Sequence, residues 1–297
     1  MATEVSLGTA TRTNLLSLQN TQTLIDRTQG RLATGLKVNS ALDDALAFFK
    51  ARNLNSRASD LSAIKDGISG AISVITAATQ GLTSIESTLS QLKALAQSAI
   101  ASPESSTRAK LASQFNELRS QVDHLAADAS FNGVNLLKNS SGTFHTGADY
   151  LTVKFNERTD PKAVNQLVVS GLKNSDFSTI LAASAKAKGT AGVTTVWGQT
   201  GTAAVFAINA SIKAIDSALV TVRQAAQQFG TNASLLGIRK EFTTNLINTL
   251  KGGAGDLINA DLNEESANLL SLQTRQQLGT ISLSIAQKSE QSVLRLF

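Results

Sequence analysis

The fold is decided by residues 61–99, LSAIKDGISGAISVITAATQGLTSIESTLSQLKALAQSA. Steps of three and four residues through this stretch meet apolar side chains, while Ser, Thr, Gln, Lys and Asp fill much of the space between them. This a/d heptad seam is typical of a long helix packed against other long helices, and at about 1.5 Å per residue it predicts a helix roughly 60 Å long. The seam consists of Leu61, Ile64, Ile68, Ala71, Ile75, Ala78, Leu82, Ile85, Leu89, Leu92, Ala96 and Ala99.

Two further seams have the same period. The second follows a break at Ser102-Pro103-Glu104, and because the connection is short, its helix should lie antiparallel to the first. The third begins after Gly201 and continues loosely to Leu250. The second seam is Leu111, Phe115, Leu118, Val122, Leu125 and Ala129; the third is Val205, Ile208, Ile212, Ile215, Leu219, Val222, Ala226, Phe229, Ala233 and Leu236.

Between these seams the chain changes character. The heptads stop after a predicted turn at Phe131-Asn132-Gly133-Val134, and Gly, Ser and Thr become frequent from Asn139 to about Gly201. Short apolar or alternating runs predict strands at 150–155, 166–169 and 193–197. We therefore predict a mainly α protein: an elongated antiparallel helical rod with terminal coiled-coil arms and a small mixed α/β insertion at the far end.

The two arms lie at the ends of the chain. The first, Val5–Leu36, has a seam that includes two glutamines, and it is too short to hold a fold alone, because ordering each residue costs about 1–2 kcal/mol. The last, residues 261–297, is apolar on two opposite faces, so it needs partners on both sides, which predicts polymerisation. The first seam is Leu15, Leu18, Gln22, Ile25, Gln29, Leu32 and Leu36; the two later faces are Ala267, Leu270, Leu278, Ile281, Ile285 and Leu296, and Leu269, Leu272, Leu283 and Leu294.

The segments that connect the predicted helices contain residues typical of helix ends and hinges. Gly35 is expected to end the first helix, and Asn39 or Ser40 to cap the next, with Asp43 and Asp44 in its first turn. The run 252–255, Gly-Gly-Ala-Gly, is expected to interrupt the third long helix as a hinge. A phosphate-binding loop is the other interpretation of that run, but no Lys-Ser/Thr pair follows it and no strand precedes it.

Composition argues against several classes of function. The chain has no Cys, two His and a net charge of +5 with no basic run, so neither a thiolate site nor a nucleic-acid surface is expected. His124 and Asp128 are interpreted as a surface pair, and Asp43-Asp44 lacks a third ligand for a metal. No membrane insertion is expected, and no signal peptide is recognised in residues 1–8. We predict no enzyme activity, no metal and no cofactor.

Residues 1–138 and 203–297 carry motifs that resemble those of bacterial flagellin. The N-terminal motifs are residues 31–45 (RLATGLKVNSALDDA), 66–69 (DGIS) and 131–137 (FNGVNLL); the C-terminal motifs are residues 272–279 (LQTRQQLG), 283–287 (LSIAQ) and 293–297 (VLRLF). Residues 139–202 match nothing in the family, whose outer region is variable. The resemblance is thus to a short flagellin.

The resemblance implies a structural subunit of the bacterial flagellar filament, exported unfolded by the flagellar type III apparatus and finally extracellular. It implies a helical homopolymer, an export chaperone on the C-terminal arm, and contacts with filament cap and hook-junction proteins. Its layout would be an inner-core arm (1–40), rod helices (41–138), a variable outer domain (139–202), a further rod helix (203–252) and a second inner-core arm (253–297). Two alternatives stay open: a hook–filament junction protein, and a non-polymerising coiled-coil secreted protein.

Candidate functional residues fall into three groups. The self-assembly arms are Leu15, Leu18, Ile25, Leu32, Leu36, Leu269, Leu272, Leu278, Ile281, Leu283, Ile285 and Leu294; the rod seam is Ile64, Ile68, Ile75, Leu82, Ile85, Leu89, Leu92, Ile208, Ile212, Ile215 and Leu219. The third group concerns the animal receptor that detects flagellin. In the motif of detected flagellins an arginine and a glutamate stand where this chain has Gln91 and Ala94, so the resemblance implies weak or absent receptor activation.

Overall fold

The computed structural model describes residues 9–137, 150–157, 165–172, 197–199 and 201–294. Within these ranges most residues are helical, which confirms the mainly α class. The helices are α1 (Thr9–Thr34), α2 (Ala45–Ala101), α3 (Ser105–Asp128), α4 (Thr202–Ile258) and α5 (Leu262–Leu294). The strands are β1 (Ser130–Phe131), β2 (Val134–Asn135), β3 (Tyr150–Lys154) and β4 (Gln166–Ser170).

The chain forms two compact units. We call residues 1–58 and 248–297 the terminal unit, and residues 59–247 the central unit. The terminal unit thus combines the two ends of the sequence, and the central unit consists of its middle. Helices α2 and α4 contribute residues to both units.

The core of the central unit is built from the predicted seams. Ile68, Leu82 and Ile85 on α2 have no exposed surface, and Phe115 on α3 and Ile208 on α4 are equally buried. Such side chains each stabilise the fold by about 1.5–3 kcal/mol through burial. The seams therefore meet in one continuous core.

Two ion pairs fix the direction of α4 against α2 in this unit. Lys93 Nζ lies 2.6 Å from Asp216 Oδ1, and Arg223 Nε lies 2.8 Å from Glu86 Oε1. As the residue number rises along α2 it falls along α4, so the helices are antiparallel. Each pair is partly exposed to solvent and contributes little stability.

The strands form two small antiparallel pairs. Asn132 and Gly133 have φ values of +50° and +80°, as a two-residue hairpin turn requires, and they join β1 to β2. β3 pairs with β4 from Tyr150↔Ser170 to Lys154↔Gln166, which confirms strands at these two predicted places. Of the third predicted strand, residues 193–196 lie outside the described residues.

A buried arginine holds the segment around Trp197. Arg108 Nε donates to the Trp197 carbonyl oxygen at 3.0 Å, and Nη2 donates to that of Gln199 at 2.7 Å. Nη1 donates to the carbonyl oxygens of Ser102 and Pro103. Four carbonyl acceptors compensate the desolvation of the guanidinium, and they fix Trp197 where its ring meets that of Phe115 with centroids 4.9 Å apart.

The predicted hinge at residues 252–255 is wrong. Helix α4 continues through the three glycines to Ile258. Each glycine costs about 1 kcal/mol relative to alanine in a helix interior, but neighbouring packing outweighs this cost. A Cβ at Gly253 would meet Leu54 at 3.9 Å, and Ala254 is buried.

Helices α2 and α4 are long and apolar enough that length and composition alone would allow them to cross a membrane. No such stretch is predicted from the sequence alone. In the structure, the apolar residues of both helices recur at heptad spacing and supply the core described above. Burial in the core of the protein accounts for this composition.

Candidate self-assembly surfaces

The terminal unit is centred on an antiparallel pair of helices, α1 and α5. Arg31 Nη1 lies 2.6 Å from Glu265 Oε1, and Gln276 Nε2 donates to Gln22 Oε1 at 2.7 Å. These contacts run in opposite directions along the two helices. The Glu265 side chain is only 9% exposed, so a carboxylate left there without its partner would be costly.

A small residue allows the two helices to approach closely. A Cβ added at Gly279 would lie 2.9 Å from Leu18 Cδ2. A larger residue would have to push this leucine aside or separate α1 from α5. In the sequence Gly279 is recognisable only as part of a family motif, and the heptad pattern does not predict this contact.

The seam on α1 differs from the predicted one at every second position. Leu18, Ile25 and Leu32 are buried or half-buried as expected, but Leu15 is 42% exposed, and Gln22 and Gln29 are exposed as well. The other buried or half-buried positions of the heptad are Thr11, Asn14, Thr21 and Thr28. The prediction chose the leucine next to Asn14 because it is the more apolar residue, whereas threonine fits a narrow helix–helix contact.

Helix α5 presents two opposite faces. Leu269, Leu272 and Leu283 are half-buried and share a face with Gln276 and Gly279, which contact α1. The opposite face carries an exposed apolar row, which we call the α5 stripe: Leu270, Leu278, Ile281 and Ile285, each between 57% and 67% exposed. Leu294 ends the helix, but its side chain lies outside the described residues, as does Leu296.

A hydrogen-bonded crossing joins the end of α1 to the end of α4. Gly35 ends α1 as predicted, with a φ of +70°. Lys37 N donates to the Ile258 carbonyl oxygen at 2.7 Å, and Ala260 N donates to that of Gly35 at 2.9 Å. Leu36 forms an isolated β-bridge with Asn259. These bonds place the end of the first arm beside the start of the last arm.

The capping prediction for α2 needs correction. Asp44, not Asn39 or Ser40, caps the helix, since its Oδ1 accepts from Ala47 N at 2.9 Å. Asp43 Oδ2 accepts from the backbone N–H groups of Ser40 and Asn39 and from the Ser40 hydroxyl. These hydrogen bonds, the backbone one from Ser40 first, hold the pKa of Asp43 below its ordinary value. The two carboxylates thus organise a turn.

The rod-seam residues lie in the central unit. Most of them are buried, namely Ile68, Ile75, Leu82, Ile85, Leu89, Leu92, Ile208, Ile215 and Leu219, while Ile64 and Ile212 are half-buried. Their role is therefore to form the core.

Gln91 and Ala94 lie at the surface of the central unit. Both are exposed and line a groove of about 660 Å³ between α2 and α3. The groove has half-buried leucines, Leu95 and Leu118, at its sides and one charged residue, Glu117. We call it the α2–α3 groove.

The part of the chain that the structure describes contains no group of three His, Asp or Glu residues placed to hold a metal ion. His124 and Asp128 are both exposed on α3. What the described terminal unit does offer is a helix pair with one uncovered apolar face. Together with a well-filled central core, this arrangement is typical of a helical structural protein.

Comparison with known proteins gives the family. The model of the bacterial flagellin N-terminal helical region matches residues 5–142, and that of the C-terminal helical region matches residues 212–297. The chain is 34% identical over 289 residues to flagellin FljO of Caulobacter vibrioides, covering 95% of each chain. It is 28% identical over 322 residues to flagellin C of Rhizobium meliloti, covering 97% of this chain and 99% of that one.

The chain therefore belongs to the bacterial flagellin family. It is a structural subunit of the flagellar filament. The filament is a helical homopolymer that lies outside the cell as part of the bacterial flagellum. A flagellin of Brucella melitensis is also similar, at 27% identity over 96% of this chain and 95% of that one.

Proposed function

We propose that the α1–α5 pair is the assembly element of the subunit and that neighbouring subunits cover the α5 stripe. The observation that carries this proposal is the division of α5 into two faces. One face lies on α1, while the opposite face exposes Leu270, Leu278, Ile281 and Ile285. An exposed apolar row of this length is a docking surface.

The size of the expected effect supports this role. Covering four large aliphatic side chains contributes on the order of 1.5–3 kcal/mol for each, as an upper estimate. Association costs several kcal/mol in lost translational and rotational freedom, so one contact alone would be weak. Assembly is favoured if each subunit of the filament makes several such contacts.

A charge placed in the stripe tests the proposal. Ile281→Asp buries a carboxylate if a neighbour covers this face, so we expect no filaments from seeded, salted-out protein by electron microscopy. Ser282→Asp is the matched control, because it adds the same charge one residue along, on the flank of the stripe. Filaments of normal length from Ile281→Asp would contradict the proposal.

Leu283→Asp places the same charge on the face that lies on α1. We expect this variant to lose both the α1–α5 pair and polymerisation, with the central unit still folded by circular dichroism. A truncation lacking residues 261–297 should also give no fibres. If the full chain itself gave only small oligomers, a hook–filament junction protein or a non-polymerising secreted protein would become the better interpretation.

The arms also suggest the path of the subunit. The arms 1–40 and 253–297 would form the inner layer of the filament and line its channel, with 139–202 facing outward. The subunit would leave the cell unfolded through the flagellar type III apparatus, with an export chaperone on α5 and with cap and hook-junction proteins as later partners. The exposed α5 stripe supports a chaperone contact, and calorimetric titration should show weaker chaperone binding by Ile281→Asp than by Ser282→Asp.

The surface of α2 supports low detection by the animal flagellin receptor. Gln91 and Ala94 are exposed, so neither is held by the core. A charged receptor contact would lose a charge-assisted hydrogen bond at each position. We expect the double variant Gln91→Arg/Ala94→Glu to raise activity in a cell reporter assay, with Ser90→Arg as the control. Potency of the unaltered chain equal to that of a strong agonist would overturn this expectation.

A further inference from the structure

The central unit carries a second apolar surface, on α4. Leu235, Ile238 and Phe242 follow one another in steps of three and four residues, so they lie on one side of the helix. Their side chains are 39%, 63% and 59% exposed. Three large apolar side chains in one exposed row indicate an interaction surface rather than isolated surface residues. We call this row the α4 ridge.

The same unit offers a concave surface of suitable chemistry. The α2–α3 groove has a volume of about 660 Å³, with room for more than one large side chain. Leu95 and Leu118 are half-buried at its sides, and Ala94 leaves space between them. Amide side chains such as Gln91 and Gln121 line it further. The groove can therefore cover apolar groups and also offer hydrogen bonds around them.

We propose that the α4 ridge of one subunit inserts into the α2–α3 groove of a neighbouring copy. A contact between two different surfaces leaves each end of a chain of copies with one free ridge or one free groove, so it repeats without limit. A ridge paired with a second ridge would close after two copies. Since this chain forms a filament, the repeating arrangement is the one that fits.

The charges around the two surfaces agree with this pairing. Glu117 is the one charged residue lining the groove. Arg239 and Glu241 flank the ridge on its two sides, with Arg239 nearer to it, whereas Lys240 lies on the far side of the helix. The Arg239 guanidinium lies 5.1 Å from the ring centroid of Phe155, which holds its charge near the ridge.

This inference rests on the proposed assembly role of the terminal unit but adds a contact that the terminal unit does not contain. The two can therefore fail separately. Loss of filaments on truncation tests the proposed role of the arms. A filament that forms normally but lacks the ridge–groove contact would contradict only the ridge–groove proposal.

The absence of cysteine makes a direct test possible. Chains with Ala94→Cys and Ile238→Cys place one thiol in the groove and one on the ridge. After assembly and mild oxidation, we expect a ladder of covalent multimers beyond the dimer on denaturing gels. Each added subunit supplies one thiol of each kind, so the cross-links continue along the filament. The same protein oxidised before assembly should remain monomeric.

A matched control uses Ala94→Cys with Lys240→Cys. Lys240 is exposed and only two residues from Ile238, but at about 100° per residue it lies on the opposite side of the helix. We expect no ladder from this pair. Ile238→Cys alone should give no covalent dimers, because the ridge does not meet a second ridge.

Three results would overturn the proposal. They are filaments of the Ala94→Cys/Ile238→Cys chain without a ladder, an equal ladder from the Lys240→Cys control, and strong dimer formation by Ile238→Cys alone. If the double variant does not polymerise, the two single variants are assembled together with an excess of the unaltered chain. A mixed cross-linked dimer is then expected, and its absence from the resulting filaments would also contradict the contact.

Discussion

The central unit and the terminal unit are built from the same kind of long heptad helix, but only the central unit is complete by itself. Ile68, Leu82 and Ile85 on α2 have no exposed surface. Among the described side chains of α5, the one classed as buried is Glu265, whereas its large aliphatic residues are half-buried or exposed. A heptad pattern thus predicts which helix face packs against a partner, but it does not predict whether that partner belongs to the same chain or to another one.

This difference also separates the two kinds of substitution that matter. In the central unit, a core change should alter the stability of the isolated subunit. In the terminal unit, a change should be measured most clearly in the filament, where we propose that neighbouring subunits cover the second face.

Phe115→Ala should have the largest effect. Its side chain is fully buried against Trp197, and replacement of a buried Phe by Ala typically costs about 3–5 kcal/mol. We expect a clear loss of thermal stability in the isolated subunit, measured by circular dichroism. Phe206→Ala is the control, since Phe206 is 79% exposed. Equal shifts for both variants would contradict a complete central core.

Gly81→Ala should have the next largest effect. A Cβ there would lie 2.5 Å from Ala129 Cβ and 2.8 Å from Leu137 Cδ1, and Ala129 has no flexible side chain that could move away. Overpacking of this kind costs about 1–3 kcal/mol. Gly70→Ala has open space around its new methyl group and should be neutral or stabilising by up to about 1 kcal/mol. A thermal scan in which both variants behave alike would refute the close contact.

Arg31→Met tests the terminal unit. It leaves the mostly buried Glu265 carboxylate without the partner at 2.6 Å, which should cost about 1–3 kcal/mol in the α1–α5 pair. We expect the filament to dissociate at a lower temperature, with little change in the melting of the central unit. Arg31→Met/Glu265→Leu should recover part of the loss, because it removes the unpaired charge. No recovery would mean that the pair matters for more than charge compensation.

Asp43→Asn should have the smallest effect. The lowered pKa of Asp43 means that its ionised form stabilises the turn. This contribution is present above the ordinary aspartate pKa of about 3.9 and is lost as the pH falls through the lower folded value. An NMR titration should show the Ser40 amide signal shifting only below the ordinary aspartate pKa. The Asp43→Asn variant should not show this shift. A Ser40 shift centred above that pKa would contradict the assignment.

Much of the central unit could be predicted from the sequence. The seams of α2, α3 and α4 were identified because every heptad position is apolar, and the hairpin because Asn132-Gly133 has few alternatives to a tight turn. Arg108 was not predicted, because its four carbonyl acceptors come from segments far apart in the chain. Sequence periodicity predicts which helix faces are buried, but it does not predict a single long-range polar contact of this kind.

The terminal unit was less predictable, for physical reasons. On α1 the apolar Leu15 competes with Asn14 and the threonines for the place in the contact, and here the smaller polar side chains occupy it. At 252–255 the local cost of glycine pointed to a break, but packing around Gly253 and Ala254 maintains the helix. The two faces of α5 were visible in the sequence, but which one meets α1 was not.

The Arg31–Glu265 contact has a consequence for the life of the chain before it reaches the filament. Its two residues are 234 positions apart. During synthesis α1 leaves the ribosome long before α5 exists, and chains are made at about 5–20 residues per second. For many seconds the first arm has no intramolecular partner. The nascent subunit is thus unable to form the Arg31–Glu265 contact until almost the whole chain has been made.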